Sequence, residues 1–348
     1  MTITRIARTS TLGILLMIGL AADLSERATG PAAAPQSAID RERTDPREER
    51  ENCRLLGIVS RRPQPVSFFE DILYRFKSPR YHQHNGWSLS AYSEYFDGGR
   101  LSIPGLPLVF RSERDVQEDF DLYDQVSAYM LRIRPTVLIG HLRNASSGCA
   151  QVADPHPFQR FHDGKHWLFI HNGGVWGADF QILEQELLGG HYIPENCPDY
   201  PIDSELLFVY LLKLMEEHDL TPFDACKLWG TILLKSLGSE WNALNIILTD
   251  GESLWAVRCS YADNRFLLNY LTYGESDAFA VTTELLDHGW QDIGNMNVAE
   301  FRIGRPPRIE KLPLPGSVEP ANRAVEPANR AVEPANRAVE PAGGAVEN

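Results

Sequence analysis

Between Cys53 and Pro315, strand-like and helix-like runs follow one another without regular alternation, and Asp163-Gly164 and Asp250-Gly251 each sit between two strand-like runs. Such pairs supply the positive backbone φ angles of tight hairpin turns, so the strands they join must pair antiparallel. A doubly wound parallel sheet would need a helix between successive strands, and the order of elements argues against one and for a layered α+β fold. Period-two patterns and aromatic or β-branched runs place strands at 54–59, 87–95, 136–142, 166–170, 244–249, 253–258, 266–271, 278–283 and 298–303. Helical periodicity places helices at 67–76, 115–132, 178–188, 203–217 and 222–237. Asp203 stands ahead of the apolar run "LLFVYLLKLM", where a short acidic side chain is expected to cap exposed N–H groups.

The two ends differ in character from this unit. Residues 1–22 carry Arg5 and Arg8 ahead of an apolar run from Leu12 to Ala22, the pattern of a secretory signal. The run is shorter than the roughly 20 apolar residues of a membrane span. No stable span is expected in the mature protein, and export is favoured over a cytoplasmic location. Residues 23–52 are Ala/Pro-rich and then densely charged, a composition that cannot bury a face and suits a disordered leader or propeptide. Residues 316–348 hold the repeat "VEPANRA", whose recurring proline forbids a continuous helix, so an extended, solvated tail is expected.

Charge and cysteine spacing exclude several functions. A formal net charge of −14 repels phosphate backbones and anionic surfaces, which argues against nucleic acid as a partner. The cysteines (Cys53, Cys149, Cys197, Cys226 and Cys259) form no C-x-x-C pair, so neither a zinc knuckle nor a disulfide framework is indicated. Core thiols are the expectation for all but Cys53. His156, His162, His166 and His171 span a hairpin whose alternation sends neighbours to opposite faces, and no H-E-x-x-H helix is present. No metal and no cofactor are expected.

Two loops carry chemistry-bearing groups. "GHLRNASSG" (140–148) follows a strand and offers an arginine, hydroxyls and a glycine; Arg143 there can either fork onto a carboxylate or make a surface ion pair. "FIHNGG" (169–174) ends a strand in glycines beside an amide side chain, which suits either an oxyanion hole or a simple turn.

The order of the segments adds to these. "CRLLGIV" (53–59), "GWSLSAY" (86–92), "GHLRNASSG" (140–148), "HPF" (156–158), "WLFIHNGGV" (167–175), "DSELLF" (203–208) and "AVTTELL" (280–286) together resemble the class II glutamine amidotransferases, over nearly the whole of 53 to about 310. The stand-alone branch that includes the ergothioneine-pathway γ-glutamyl amidohydrolase is the most similar, because it too opens with Cys-Arg.

The resemblance implies an N-terminal-nucleophile hydrolase fold, a four-layer αββα sandwich with two antiparallel sheets, over a domain spanning 53–315. It implies that Cys53 is the nucleophile and the mature N-terminus, its α-amine handling the proton. An α-amino group has a pKa near ~7.7–8.0, whereas a mid-chain amide nitrogen is no base. Asn52 must therefore be removed. Family members carry few residues ahead of this cysteine, so the long leader here calls for a second cleavage.

The resemblance further assigns Arg143 to the substrate α-carboxylate, Ser146 to the place of a family threonine, Asn172 and Gly173 to the oxyanion hole, and Asp203 to the α-ammonium. The implied ligand is a small-molecule γ-glutamyl substrate, glutamine or a γ-glutamyl peptide or thiol compound. After Pro315 there is only the repeat tail, so ammonia would pass to a separate ammonia-accepting enzyme if to any. A glutaminase subunit serving such a synthase, or a non-catalytic glutamyl-binding protein with Cys53 never exposed as an N-terminus, are the alternatives.

Overall fold

Seen from its buried faces, the chain is built in four layers. The computed structural model describes residues 53–61, 66–77, 85–93, 95–96, 99–100, 105–144, 156–190, 202–261, 266–286 and 288–313. The signal-like segment, the leader, the repeat tail, Ser146, Cys149 and Cys197 lie outside the described residues.

The strands are β1 (Arg54–Ser60), β2 (Trp87–Tyr92), β3 (Tyr95–Phe96), β4 (Gly99–Arg100), β5 (Leu108–Ser112), β6 (Val137–Leu142), β7 (Phe158–His162), β8 (Lys165–Val175), β9 (Trp241–Thr249), β10 (Leu254–Arg258), β11 (Asn269–Tyr273), β12 (Ala278–Thr282), β13 (Gln291–Asp292), β14 (Asn297–Phe301) and β15 (Arg308–Lys311). The helices are α1 (Val66–Phe76), α2 (Phe120–Arg132), α3 (Gly177–Gln181, which runs on as a π-helical stretch Ile182–Leu187), α4 (Asp203–His218) and α5 (Pro222–Ser236).

One sheet has the order β13-β11-β12-β1-β6-β2-β5 and the other β15-β14-β10-β9-β8-β7. Every ladder in both is antiparallel. Side-chain alternation divides the core accordingly. Leu55, Val59, Val137 and Ile139 of the first sheet meet Leu168, Ile170, Ile247 and Phe301 of the second in the central layer. Leu56, Ile58, Leu89 and Leu138 face Phe69, Leu73 and Phe76 of α1 and Tyr123 and Met130 of α2. Trp167, Phe169, Ile246 and Val257 face Leu207, Phe208 and Leu211 of α4 and Phe223, Cys226 and Trp229 of α5. Each fully buried large apolar side chain of this kind contributes about 1.5–3 kcal/mol.

Local chemistry explains the boundaries. Asp163 and Gly164 take φ of 48° and 73° between β7 and β8, the paired left-handed conformation of a tight hairpin turn. Helix α5 starts where Thr221 Oγ1 accepts from Asp224 N–H at 3.2 Å with Pro222 in the first turn, a cap worth about 1 kcal/mol.

Some expectations need correction. The helix expected over 115–132 begins only at Phe120, because Asp115 takes the Gln117 N–H (2.8 Å) into a local turn and Asp119 is drawn to Trp87 Nε1 (3.2 Å) and Ser112 Oγ (2.7 Å). The strand expected over 87–95 breaks at Ser93, whose hydroxyl donates to Ile133 O. The run 266–271 pairs instead as Asn269–Tyr273. Strands β5 and β15 carry a weak period-two signal and become strands by docking on the edges β2 and β14. Asp203 is the first helical residue of α4, with Ile202 at the N-cap. Among the described residues no helix is long and apolar enough to cross a membrane.

Candidate functional site

The thiol of Cys53 lies at the open end of the first sheet, one residue before β1. Arg54 pairs with Leu142 across the β1–β6 ladder, so Cys53 stands level with Arg143 as β6 ends. The backbone of Arg143 stays pinned beyond the strand: its N–H donates to Gly86 O at 2.8 Å, and Asn85 N–H donates to its carbonyl at 3.3 Å. The next residue holds the thiol, with Asn144 N–H donating to Cys53 Sγ at 3.3 Å and Sγ reaching Asn144 O at 3.4 Å.

The segment after Cys53 is anchored independently. Arg54, 1% exposed, pairs with Glu284 and donates to Phe76 O at 3.1 Å, while Leu55 N–H donates to Thr283 Oγ1 at 3.1 Å. Cys53 is half-buried as a residue, yet desolvation of its sulfur pushes the thiol up to about 11. The Asn144 N–H and the Arg143 charge act against that rise, and the charge of Asp203 adds to it. At neutral pH the sulfur is a thiol that needs a base.

On the second sheet, β8 keeps strict alternation up to its C-terminal end. Leu168 and Ile170 point into the central layer, so Asn172 does as well, and it is 3% exposed. The ladder with β9 then slips between Gly173 and Val175. Gly173 has φ of 146°, and a Cβ built on it would lie 1.9 Å from Ala243 O, so no side chain can replace its hydrogen without displacing β9. This irregular backbone is braced by Trp176 N–H donating to Glu240 O (2.8 Å) and by Asp179, which accepts from Gly238 N–H (2.6 Å) and Glu240 N–H (2.7 Å).

Asp203 reaches the same bulge from α4. Its Oδ2 accepts the Val175 N–H at 2.9 Å, and it lies 3.8 Å from where a Gly174 Cβ would be. The expected helix-capping side chain therefore faces β8, although its place in the first turn of α4 keeps its negative charge at the favourable end of the helix dipole. Trp176, 47% exposed, packs over Gly174 beside it.

The structure thus places Cys53 and Arg143 at one edge of the central layer, and Asn172, Gly173 and Asp203 on β8 and the adjoining start of α4. Both Arg143 and Asp203 are close enough to Cys53 for their charges to act on its thiol. Ser146 falls outside the described residues. Cys226 and Cys259 are fully buried in the core.

Three features of the site carry no signal in the sequence. Asn144 acts through backbone groups, which carry no side-chain signature. His171, one of the four closely spaced histidines, is buried against Ser204 Oγ (2.9 Å from Nδ1) and Ala243 O (3.2 Å from Nε2). His141 and His156 form a buried pair with ring centroids 4.1 Å apart, brought together from β6 and from the residue before Pro157. Among the described residues no group of three or more His, Cys, Asp or Glu is placed to hold a metal ion. A cavity of about 320 Å³ opens beside β7, lined by Arg111, Arg160, His166 and Glu205 among others; the Arg160–Glu205 ion pair (2.9 Å) stands in its wall, and among the described residues none of the expected site residues lines it.

Comparison with known proteins bears on this arrangement. Residues 52–304 match the family model described as glutamine amidotransferases class-II. An uncharacterised protein of Methanocaldococcus jannaschii is 27% identical over 64% of this chain, which spans only 51% of that protein's length. The Escherichia coli K12 protein named "Putative glutamine amidotransferase YafJ" is 26% identical over 59% of this chain and 72% of its own. The glutamine phosphoribosylpyrophosphate amidotransferase of Bacillus subtilis shares the fold with a TM-score of 0.51 at 15% identity, over 75% of this chain and 49% of that one.

Proposed function

Since the chain belongs to the class II glutamine amidotransferases, we propose that it hydrolyses the γ-glutamyl amide bond of glutamine or of a γ-glutamyl peptide or thiol compound through a thioester on Cys53. The observation that carries this reading is the setting of the thiol: Cys53 is seated on the Asn144 backbone, with the guanidinium of Arg143 and the carboxylate of Asp203 both acting on it. One positive and one negative group within electrostatic reach of a nucleophile match the α-carboxylate and α-ammonium of a glutamyl head group.

In this reading the substrate is held by its two charges, and the carbonyl carbon of its γ-amide is presented to Sγ. With Asn52 removed, the α-amine of Cys53 accepts the thiol proton as the S–C bond forms. The tetrahedral oxyanion is met by Asn172 and by the backbone N–H of Gly173, donors that strengthen as negative charge develops. Collapse breaks the C–N bond, and the proton held by the amine passes to the departing ammonia or amine. Water then attacks the thioester by the same route and releases the glutamyl acid. The high thiol pKa supports a need for processing, because a chain still carrying residue 52 has no amine there to take the proton.

The test is the N-terminal sequence and glutamate-releasing activity of the protein purified from its host. Expected are a chain beginning at Cys53, glutamate release from glutamine or a γ-glutamyl peptide, and loss of that release in Cys53→Ala. A mature chain that begins upstream of Cys53 and releases no glutamate would sink the reading. Stimulation of ammonia release by a co-purifying synthase would identify the glutaminase-subunit form of the same chemistry.

A further inference from the structure

His171 neighbours Asn172 in the chain but points to the opposite face of β8, toward α4, and it is 1% exposed. The steps above make no use of it. Its ring nitrogens have unlike partners, Ala243 O at 3.2 Å from Nε2 and Ser204 Oγ at 2.9 Å from Nδ1. A carbonyl oxygen can only accept, so Nε2 carries a hydrogen. Burial holds the imidazole pKa below its usual value, against the opposing influence of Asp203 and the Ala243 bond. The ring is therefore neutral, and Nδ1 presents a lone pair.

The hydroxyl of Ser204 must then be the donor in its contact with Nδ1. A hydroxyl has a single proton. While that proton points at His171, the 3.5 Å approach of Ser204 Oγ to Asp203 Oδ1 cannot be a bond in which Ser204 donates. Ser204 and Asp203 are both buried, at 4% exposure each, so the direction of one O–H bears directly on the charge that the carboxylate offers to a ligand.

We infer that His171 is a positioning residue which holds the Ser204 proton away from Asp203, so that this hydroxyl does not compete with a substrate α-ammonium for the carboxylate. This rests on the role given to Asp203 in the proposed hydrolysis. Removing Nδ1 leaves Asp203 Oδ1 as an acceptor within reach of the freed hydroxyl, and the carboxylate then holds an ammonium less tightly. Removing the hydroxyl as well abolishes the competition.

The two consequences give a test that a merely structural histidine would fail. In the full-length protein as processed by its host, His171→Leu is expected to raise KM for L-glutamine about tenfold with kcat changed less than about threefold, the size of effect expected for a hydrogen bond to a charged group. Ser204→Ala is expected to leave KM near that of the unsubstituted protein, and His171→Leu combined with Ser204→Ala to bring KM back. KM for glutaramate, which lacks the α-amine, should not respond to His171→Leu. A raised KM that Ser204→Ala fails to restore, or an equal rise with glutaramate, overturns the inference.

If His171→Leu does not fold, or if the unsubstituted protein releases no glutamate, the ¹⁵N spectrum of the histidine-labelled protein at pH 7 decides instead. A hydrogen on Nε2 with Nδ1 bare is expected, and a hydrogen on Nδ1 overturns the inference. Absence of glutamate release from the processed protein counts against the proposed hydrolysis alone.

Discussion

Lowering the pH from 7 to 5 should cost this fold about 2 kcal/mol through His141, and His156 adds to the loss. Both are buried, at 0% and 5% exposure, with ring centroids 4.1 Å apart. Desolvation, followed by the Arg143 charge, holds His141 down to about 3. Desolvation, with further opposition from His141, His171, Arg143 and Arg111, holds His156 well below its usual value.

A histidine whose folded pKa is depressed is neutral in the fold while it takes up a proton in the unfolded chain below ~6.5. Stability is therefore present in full above that pH and is lost as the pH falls through it, continuing down toward the folded pKa. For His141, pH 5 lies about 1.5 units below the unfolded value and above the folded one, which at 1.36 kcal/mol per unit is about 2 kcal/mol. Urea unfolding at fixed pH values between 7 and 5 measures the loss directly. His156→Met keeps a side chain of similar bulk and removes one titrating group, so the slope near pH 5 should flatten. A stability that does not change over this range, or a slope untouched by His156→Met, would refute the assignment of both rings as buried neutral groups.

Gly173→Ala should abolish measurable amide hydrolysis, at least about 10²-fold, because its Cβ would lie 1.9 Å from Ala243 O and must push β9 away from β8, the strand that carries Asn172. Glutamate release and a thermal melt separate the loss of the site from loss of the fold. Arg143→Lys replaces a forked donor with a point charge and is expected to raise KM for glutamine about tenfold or more while the melt stays near that of the unsubstituted protein. In a chain that still carries residues 1–52, alkylation of Cys53 by iodoacetamide should accelerate with pH toward about 11, the position of its buried thiol. A plateau near pH 8 in that precursor would show that the thiol is not desolvated as described.

Much of the site was legible because its residues lie at the ends of strongly patterned strands. Cys53 immediately precedes a buried apolar run and Arg143 and Asn172 each follow one, and the alternation that predicts the strand also says which face the adjoining residue takes. The glycines of "FIHNGG" announced an irregular backbone, and Gly173 has one. Asp203 was expected to cap its own helix, and the geometry instead turns its carboxylate to Val175 N–H, since the bulge in β8 exposes a donor that only tertiary packing brings near.

The amino-acid sequence alone carries the family segments from Cys53 to Leu286, and locally the hairpins at Asp163-Gly164 and Asp250-Gly251 with the antiparallel pairing they enforce. Those hairpins follow from φ preferences and side-chain period, contained within a few residues. Tertiary packing makes strands of β5 and β15, draws Asp119 to Trp87 ahead of α2, brings His141 to His156, and sets Ser204 Oγ against His171 Nδ1. Each of these depends on a partner far away in the chain. A weakly patterned segment becomes a strand when an edge offers it hydrogen bonds, and a buried polar group takes its role from whichever acceptor the packing of distant elements sets beside it.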